Sequence, residues 1–385
     1  MEPGLPSNLT GSGKTGSIPG NLGWLTACLL LAGQAALAVN PPAVEWTRTF
    51  PGWGIAEGSC VQQTTDSGYV AVGTTSSADS IAEHAVLLVK LSASGDSQWV
   101  KTFKGVGGMR GTSVVQTSGG GFILAGSAAA DVSAGHWDPC IVKTDASGNE
   151  LWQSRLANDV SANAWSVVSV DDTAYTVVAR ESWGDSSVVL WRTDGSGNIR
   201  WRHEYDVSYG FGQNDEKLSL RRTSDGGYII GTRTLLKVDS LGAQPQIRTF
   251  SSQVANSVIQ TSDGGYVATG TTEQASDIYL FKTDANLNVV WGKLYLPSEW
   301  SRGQWVEQTT NGGYIICGTT RPGNGDDKLT LVRTSSNGDT VWTDTLSADC
   351  GYCVRQTADG GYVVAGTSDD GLFVTKLVAE SRKLR

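Results

Sequence analysis

Gln260-Thr261-Ser262-Asp263-Gly264-Gly265-Tyr266-Val267-Ala268-Thr269-Gly270 is one of seven versions of a single phrase. Its aromatic recurs as Tyr69, Phe122, Tyr175, Tyr228, Tyr266, Tyr314 and Tyr362, at steps of 53, 53, 53, 38, 48 and 48 residues. Periods of this size mark a solenoid, a propeller or an array, and the contents of one period decide among them. In the second copy, Ser113-Val114-Val115-Gln116 precedes a glycine-rich turn and Phe122-Ile123-Leu124-Ala125. Cys140-Ile141-Val142-Lys143, a turn at Thr144 to Asn149, and Glu150-Leu151-Trp152 follow. That content predicts four short strands, A to D, joined in part by tight hairpins whose Asp-Gly and Gly-Asn pairs tolerate positive φ. No stretch after the leader has a helical period. The expected fold is all-β: a seven-bladed propeller of four-stranded blades.

Two further marks run with the same period. Trp46, Trp99, Trp152, Trp201, Trp291 and Trp342 head strand D, with Gln246 in that place in the short fourth copy. Aromatics of this size fill the gaps between blades. The polar residues that follow them, such as Arg48, Lys101, His203, Arg248 and Lys293, discourage pairing along the outer edge. Strand C carries one base per copy: Lys90, Lys143, Arg192, Lys237, Lys282, Arg333 and Lys376. Pairing with a nearby turn aspartate accounts for this ring without a ligand. The last copy ends on a strand C, Leu372 to Leu377, and a strand D at Val44 to Phe50 has nothing before it. The N-terminal strand is therefore expected to complete blade seven and close the ring, which removes the need for end caps.

The chain has 385 residues and a net charge of -9, which disfavours nucleic acid or an anionic membrane as a partner. Residues 1–22 are rich in Gly, Ser and Pro. Gly23 to Val39 is apolar and ends in Ala36-Leu37-Ala38, the pattern of a secretory signal peptide cut after Ala38. An uncleaved anchor is the alternative. Residues 1–38 are thus expected to be leader, and 39–385 one exported monomeric propeller, secreted or at the cell surface, with no membrane segment left after cleavage. Gly11-Ser12-Gly13-Lys14-Thr15 lacks the first glycine of a phosphate-binding loop and no helix follows it.

Beyond the leader stand Cys60, Cys140, Cys317, Cys350 and Cys353. Cys140 and Cys317 fall within apolar strands. Cys60 and Cys353 each lie nine residues before their repeat aromatic, on the innermost strands of blades one and seven. A disulfide from Cys60 to Cys350 or Cys353 would pin the closure seam, as suits an exported protein. Free thiols remain the alternative, with a redox or zinc role for Cys350-Gly351-Tyr352-Cys353 behind both. The three histidines have no metal spacing, so no metal is expected.

Candidate binding residues gather where the D–A and B–C loops share one face. They are Trp53, Arg110, Trp137, Trp165, Trp183, Phe211, Trp300, Arg302 and Trp305. Aromatics beside arginines in irregular segments have no repeat role. They suit a planar or sugar-like ligand or a protein contact, or else they plug the channel mouth. Loop-face acids such as Glu57, Asp206, Asp215, Glu216, Glu299 and Asp349 would serve a glycosidase if two stood at the right separation.

The unit Gln-Thr-x-Asp-Gly-Gly-Tyr followed by Val-Lys-Thr-Asp-x-x-Gly-Asn-x-x-Trp resembles a repeat of secreted and surface β-propellers of bacteria and archaea, over residues 44–380. The hairpin Asp145-Ala146-Ser147-Gly148-Asn149-Glu150-Leu151-Trp152 is also similar to the quinoprotein repeat, though one residue shorter between Asp and Gly. The adjacent Cys-Cys of many quinoprotein dehydrogenases is missing, and no cofactor is expected. The resemblance implies a binding or interaction module for a glycan or a surface protein. Two alternatives stand beside it. One is a carbohydrate-active enzyme, since some proteins with this repeat are described as endoglucanase-like. The other is a purely structural surface module.

Overall fold

A computed structural model describes residues 39–51, 56–76, 84–105, 107–131, 136–156, 161–181, 187–207, 217–250, 253–272, 277–296, 300–323 and 325–380. The leader at 1–38 and three candidate residues, Trp53, Trp183 and Phe211, lie outside the described residues.

The strands form seven antiparallel four-stranded sheets, the blades of a propeller. β1 (Val44–Phe50) is the first strand among the described residues. Blade one is β2 (Ala56–Gln63), β3 (Tyr69–Ser76), β4 (His84–Leu91) and β5 (Ser97–Phe103). Blade two is β6 (Met109–Gln116), β7 (Phe122–Asp131), β8 (His136–Thr144) and β9 (Glu150–Arg155). Blade three is β10 (Ala162–Val170), β11 (Ala174–Glu181), β12 (Val188–Asp194) and β13 (Ile199–Tyr205). The short fourth is β14 (Ser219–Arg222), β15 (Tyr228–Gly231), β16 (Thr234–Val238) and β17 (Gln246–Thr249). Blade five is β18 (Gln253–Gln260), β19 (Tyr266–Thr272), β20 (Ile278–Thr283) and β21 (Val289–Tyr295). Blade six is β22 (Trp300–Gln308), β23 (Tyr314–Arg321), β24 (Lys328–Thr334) and β25 (Thr340–Leu346). Blade seven is β26 (Cys350–Gln356), β27 (Tyr362–Ser368), β28 (Gly371–Leu377) and, as its outer strand, β1. Thr47 pairs with Thr375 and Phe50 with Leu372, so the ring closes by the N-terminal strand.

Each element of the repeat has a physical task. Asp263 accepts from the Gly265 N–H at 3.0 Å and the Thr261 hydroxyl at 2.6 Å, which shapes the A–B turn. Lys282 from strand C reaches the same carboxylate at 2.9 Å. Lys90–Asp66, Lys237–Asp225 and Lys376–Asp359 repeat the pair at 2.8–3.0 Å, so the ring of bases is local structure. In blade two, whose turn lacks that aspartate, and in blade three, whose Asp172 is taken by Ser118 and Gly119 of blade two, Lys143 and Arg192 reach the Tyr175 and Tyr228 hydroxyls of the next blade instead. Gln260 Oε1 accepts the Ser224 N–H of the preceding blade at 2.7 Å, and Gln308 and Gln356 do the same one and two blades on.

The strand-D tryptophans fill the gaps between blades. Trp46 meets Tyr69 edge-on with centroids 5.4 Å apart, and Trp99 meets Phe122 at 5.8 Å. Five of the six, all but Trp342, also seat the C–D turn of the next blade: a Cβ on Gly148, at φ +75, would stand 2.7 Å from Trp99. Blade four has Gln246 in place of the tryptophan, and blade five has Leu287 at φ 63 in place of the glycine. The Leu287 side chain is 2 % exposed and packs in the cluster with Phe250 and Phe281. In blade six, Trp342 donates to Glu380, which also takes the Arg333 Nε–H and the Tyr362 hydroxyl.

Candidate functional site

The six described candidates sit on strands, not in irregular loops as the sequence suggested. Arg110 is on β6, Trp137 on β8, Trp165 on β10, and Trp300, Arg302 and Trp305 on β22. Period-two alternation fails there because a β-bulge interrupts strand A. The register shifts between Gly58 and Cys60, Gly111 and Ser113, Ala164 and Ser166, Ala255 and Ser257, Gly303 and Trp305, and Gly351 and Cys353. A bulge leaves one residue unpaired and re-aims its side chain. Here those residues are Ser59, Thr112, Trp165, Asn256, Gln304 and Tyr352, and all six line the axial channel with Leu218 of blade four. Each stands ten residues before its repeat aromatic. The glycines beside them let blades approach: a Cβ on Gly111 would meet the Gly73 carbonyl at 2.7 Å.

The next position along strand A explains two cysteines. Ser219 and Ser257 each accept a backbone N–H from the following blade, Val258 at 2.9 Å and Val306 at 3.3 Å. Cys353 fills the serine slot and accepts from Val61 at 3.4 Å. Its Sγ is 3.8 Å from Cys60 Sγ across the closure seam, and both are buried free thiols. Cys350 stands apart, lining the channel mouth. The same position in blade six is Trp305, and in the other blades Cys60, Ser113, Ser166, Ser219, Ser257 and Cys353, all small. Trp305 is thus the one large side chain of this ring.

Above it opens a cavity of about 450 Å³. Arg110, Trp165, Trp300 and Arg302 of the candidate set line it, with Lys217, Asn163, Gln304 and Tyr352. A chamber of about 40 Å³ below is bounded by Trp165, Gln304, Trp305 and Tyr352. Trp137 is 8 % exposed and serves as a platform under Arg110, whose Cζ lies 4.6 Å from its ring centre. Arg110 also donates to His84 Nδ1 at 3.3 Å. Lys217 sits 3.4 Å from the Tyr352 ring centre. Arg302 and Arg321 approach the Trp300 ring at 5.4 and 5.0 Å.

Sequence reasoning missed the floor. Arg221 of blade four and Arg355 of blade seven both stack on Trp305, at 4.3 and 4.8 Å, so the indole bridges the channel. Arg355 Nη1 is 3.6 Å from Glu307. Burial, with the like charge of Arg355, pushes Arg221 down to about 10. Burial likewise raises the Glu307 carboxyl against the pull of both arginines. These three residues share one repeat position with Gln62, Val115, Val168 and Ile259. Charge at a position that is otherwise uncharged was the signal that marked them.

Among the described residues, Asp327 is the one carboxylate lining the upper cavity, and Arg321 holds it through two hydrogen bonds of 2.7 and 3.1 Å. The described residues hold no group of three or more potential metal ligands, and none of their helices is long and apolar enough to cross a membrane.

Fold and site together define a closed seven-bladed β-propeller with a socket at one mouth of its channel. No protein-family model and no curated protein matches the chain. Among solved structures, it is similar to the WD40 β-propeller domain of Doa1, at 14 % identity and a TM-score of 0.58 over 89 % of this chain and 97 % of that one. It is also similar to Sqt1 from Chaetomium thermophilum, at 13 % identity and a TM-score of 0.54 over 88 % of this chain and 99 % of that one. At these identities the likeness is one of fold.

Proposed function

We propose that the protein is a binding module that takes its ligand in the mouth of the axial channel. The observation that carries this reading is the cavity of about 450 Å³ lined by Trp165, Trp300, Tyr352 and long polar side chains, with Trp305 bounding the smaller chamber beneath it. Its size falls in the range of about 300–1,000 Å³ typical of ligand pockets. Trp300, 36 % exposed at the rim, offers an apolar face suited to a sugar ring. A concave socket favours a glycan, or one protruding chain end of a protein, over a flat protein surface. The hydrolase alternative needs two facing carboxylates, and the described lining offers only Asp327, already held by Arg321. Export rests on the Gly23–Val39 run and Ala36-Leu37-Ala38. A secreted chain that begins at Val39 on N-terminal sequencing supports it, and an unprocessed intracellular chain overturns it.

The test of binding is a broad glycan and polysaccharide array probed with the labelled full chain. A saturable hit that disappears with Trp300→Ala supports the reading. Hits indifferent to Trp300→Ala remove the mouth as the site, and a blank array removes the glycan assignment.

A further inference from the structure

The protein is acidic overall, at net charge -9, yet its channel is basic. Arg110, Lys217 and Arg302 line the upper cavity. Arg221 and Arg355 stand one indole beneath it. Among the described residues, Asp327 is held by Arg321 and Glu307 sits against Arg355, while Asp326, Asp349 and Asp369 line a separate pocket at the rim. Cations gathered on low-dielectric walls raise the local concentration of anions.

The socket also holds unused hydrogen-bonding capacity. Gln304 is 6 % exposed and lines both chambers, and its Oε1 has no hydrogen-bond partner. The Nε1 atoms of Trp165 and Trp305 are likewise buried without an acceptor. At the floor, Arg221 Nε and Nη2 and Arg355 Nε are inaccessible and unpartnered. Buried polar atoms are normally satisfied, and each one left bare is costly. A ligand in the upper cavity reaches Gln304 and Trp165 of this set, and it needs hydroxyls to donate to Gln304 Oε1 and accept from Trp165 Nε1–H, an anionic group for Lys217 and Arg302, and a flat face for Trp300.

Building on the binding role proposed above, we infer that the socket recognises an acidic saccharide, a sugar unit bearing a carboxylate or sulfate. The anion lies towards Lys217 and Arg302, a hydroxyl meets Gln304, and the ring leans on Trp300.

Titration calorimetry of the full chain tests this with short oligouronates, a sulfated oligosaccharide and neutral cello-oligosaccharides. Binding of an acidic ligand at least about tenfold tighter than the neutral one, and weaker as salt rises, is expected. The carboxylated and sulfated arms identify the anion. Arg302→Gln should weaken acidic binding about tenfold and leave neutral binding unchanged, and Gln304→Leu should weaken both. Lys217→Met is the second charge variant if Arg302→Gln lowers the melting temperature. Equal binding of acidic and neutral sugars, lost with Trp300→Ala, overturns the anion assignment and leaves the mouth as the binding site. Acidic binding indifferent to Arg302→Gln, Lys217→Met and Gln304→Leu overturns the placement. Absence of any sugar binding overturns the saccharide assignment, and a hit for another class of ligand that Trp300→Ala abolishes would still keep the mouth as the site.

Discussion

At the scale of single residues, the repeat is a set of paired compensations. A tryptophan on one blade requires a glycine on the next, because the turn residue has positive φ and no room for a Cβ. Gly148→Val should therefore destabilise the fold by about 2–4 kcal/mol, from overpacking against Trp99 plus backbone strain. Leu287→Gly relieves strain at φ 63 but empties a buried site, so it should still cost about 1–3 kcal/mol. Urea unfolding of the two variants measures both, and a neutral Gly148→Val would refute the interlock. The turn aspartates give a pH dependence. At Asp225 and Asp263, hydrogen bonds from Thr223 and Thr261, and then from Lys237 and Lys282, hold the carboxyls down to about 2. At Asp66 and Asp359, burial opposes the shift, and the lysine, threonine and glycine donors overcome it to the same value. A depressed folded pKa stabilises the fold above the unfolded value of about 3.9 and loses that contribution as pH falls through 2. The melting temperature should decline between about pH 4 and pH 2, modestly because these pairs are half exposed. Asp263→Asn should flatten part of that slope.

At the scale of elements, the closure strand and the inner strands matter most. β1 supplies the outer edge of blade seven, and Lys376 of β28 reaches Glu45 as well as Asp359. Deleting Val44–Phe50 should expose β28, lower the melting temperature and produce soluble aggregates on size exclusion. A monomeric deletion variant with an unchanged melt would refute closure by β1. Across the same seam, the Cys353 S–H and the Arg355 and Arg221 charges lower the Cys60 pKa against burial. Mild oxidation with a disulfide donor should join Cys60 to Cys353 with loss of two hydrogens, and stabilise the fold by a few kcal/mol, on the order of 3. Peptide mapping would find this bond abolished by Cys353→Ser and unaffected by Cys350→Ser. The serine-like role of Cys353, accepting from Val61, was hidden in the sequence because only its alignment with Ser219 and Ser257 reveals it.

At the scale of the whole molecule, seven inner strands meet around one axis, and Trp305 reaches across it. Trp305→Ala should enlarge the lower chamber and remove the surface on which Arg221 and Arg355 stack, at a cost of roughly 2–4 kcal/mol. A melt of Trp305→Ala beside Trp305→Phe measures this, and full stability of the alanine variant would show that the indole is not the floor. Trp165, Trp300, Arg110 and Arg302, which line the cavity of the proposed site, were legible because no repeat role absorbs them. Lys217, Gln304, Tyr352 and Arg221 were not, because Lys217 just precedes an inner strand, the other three lie within one, and all meet their partners only across the ring.

The sequence by itself determined the blades, their number, the turn chemistry and the closing strand. Those depend on contacts within one repeat or between neighbouring repeats, and a period exposes them. The tertiary structure alone decided which residues share the channel. Six bulges break the alternation that would predict side-chain direction, and contacts such as that of Arg221 with Trp305 join blades two apart in the ring. No local pattern encodes them, because only ring closure brings those strands to a common axis.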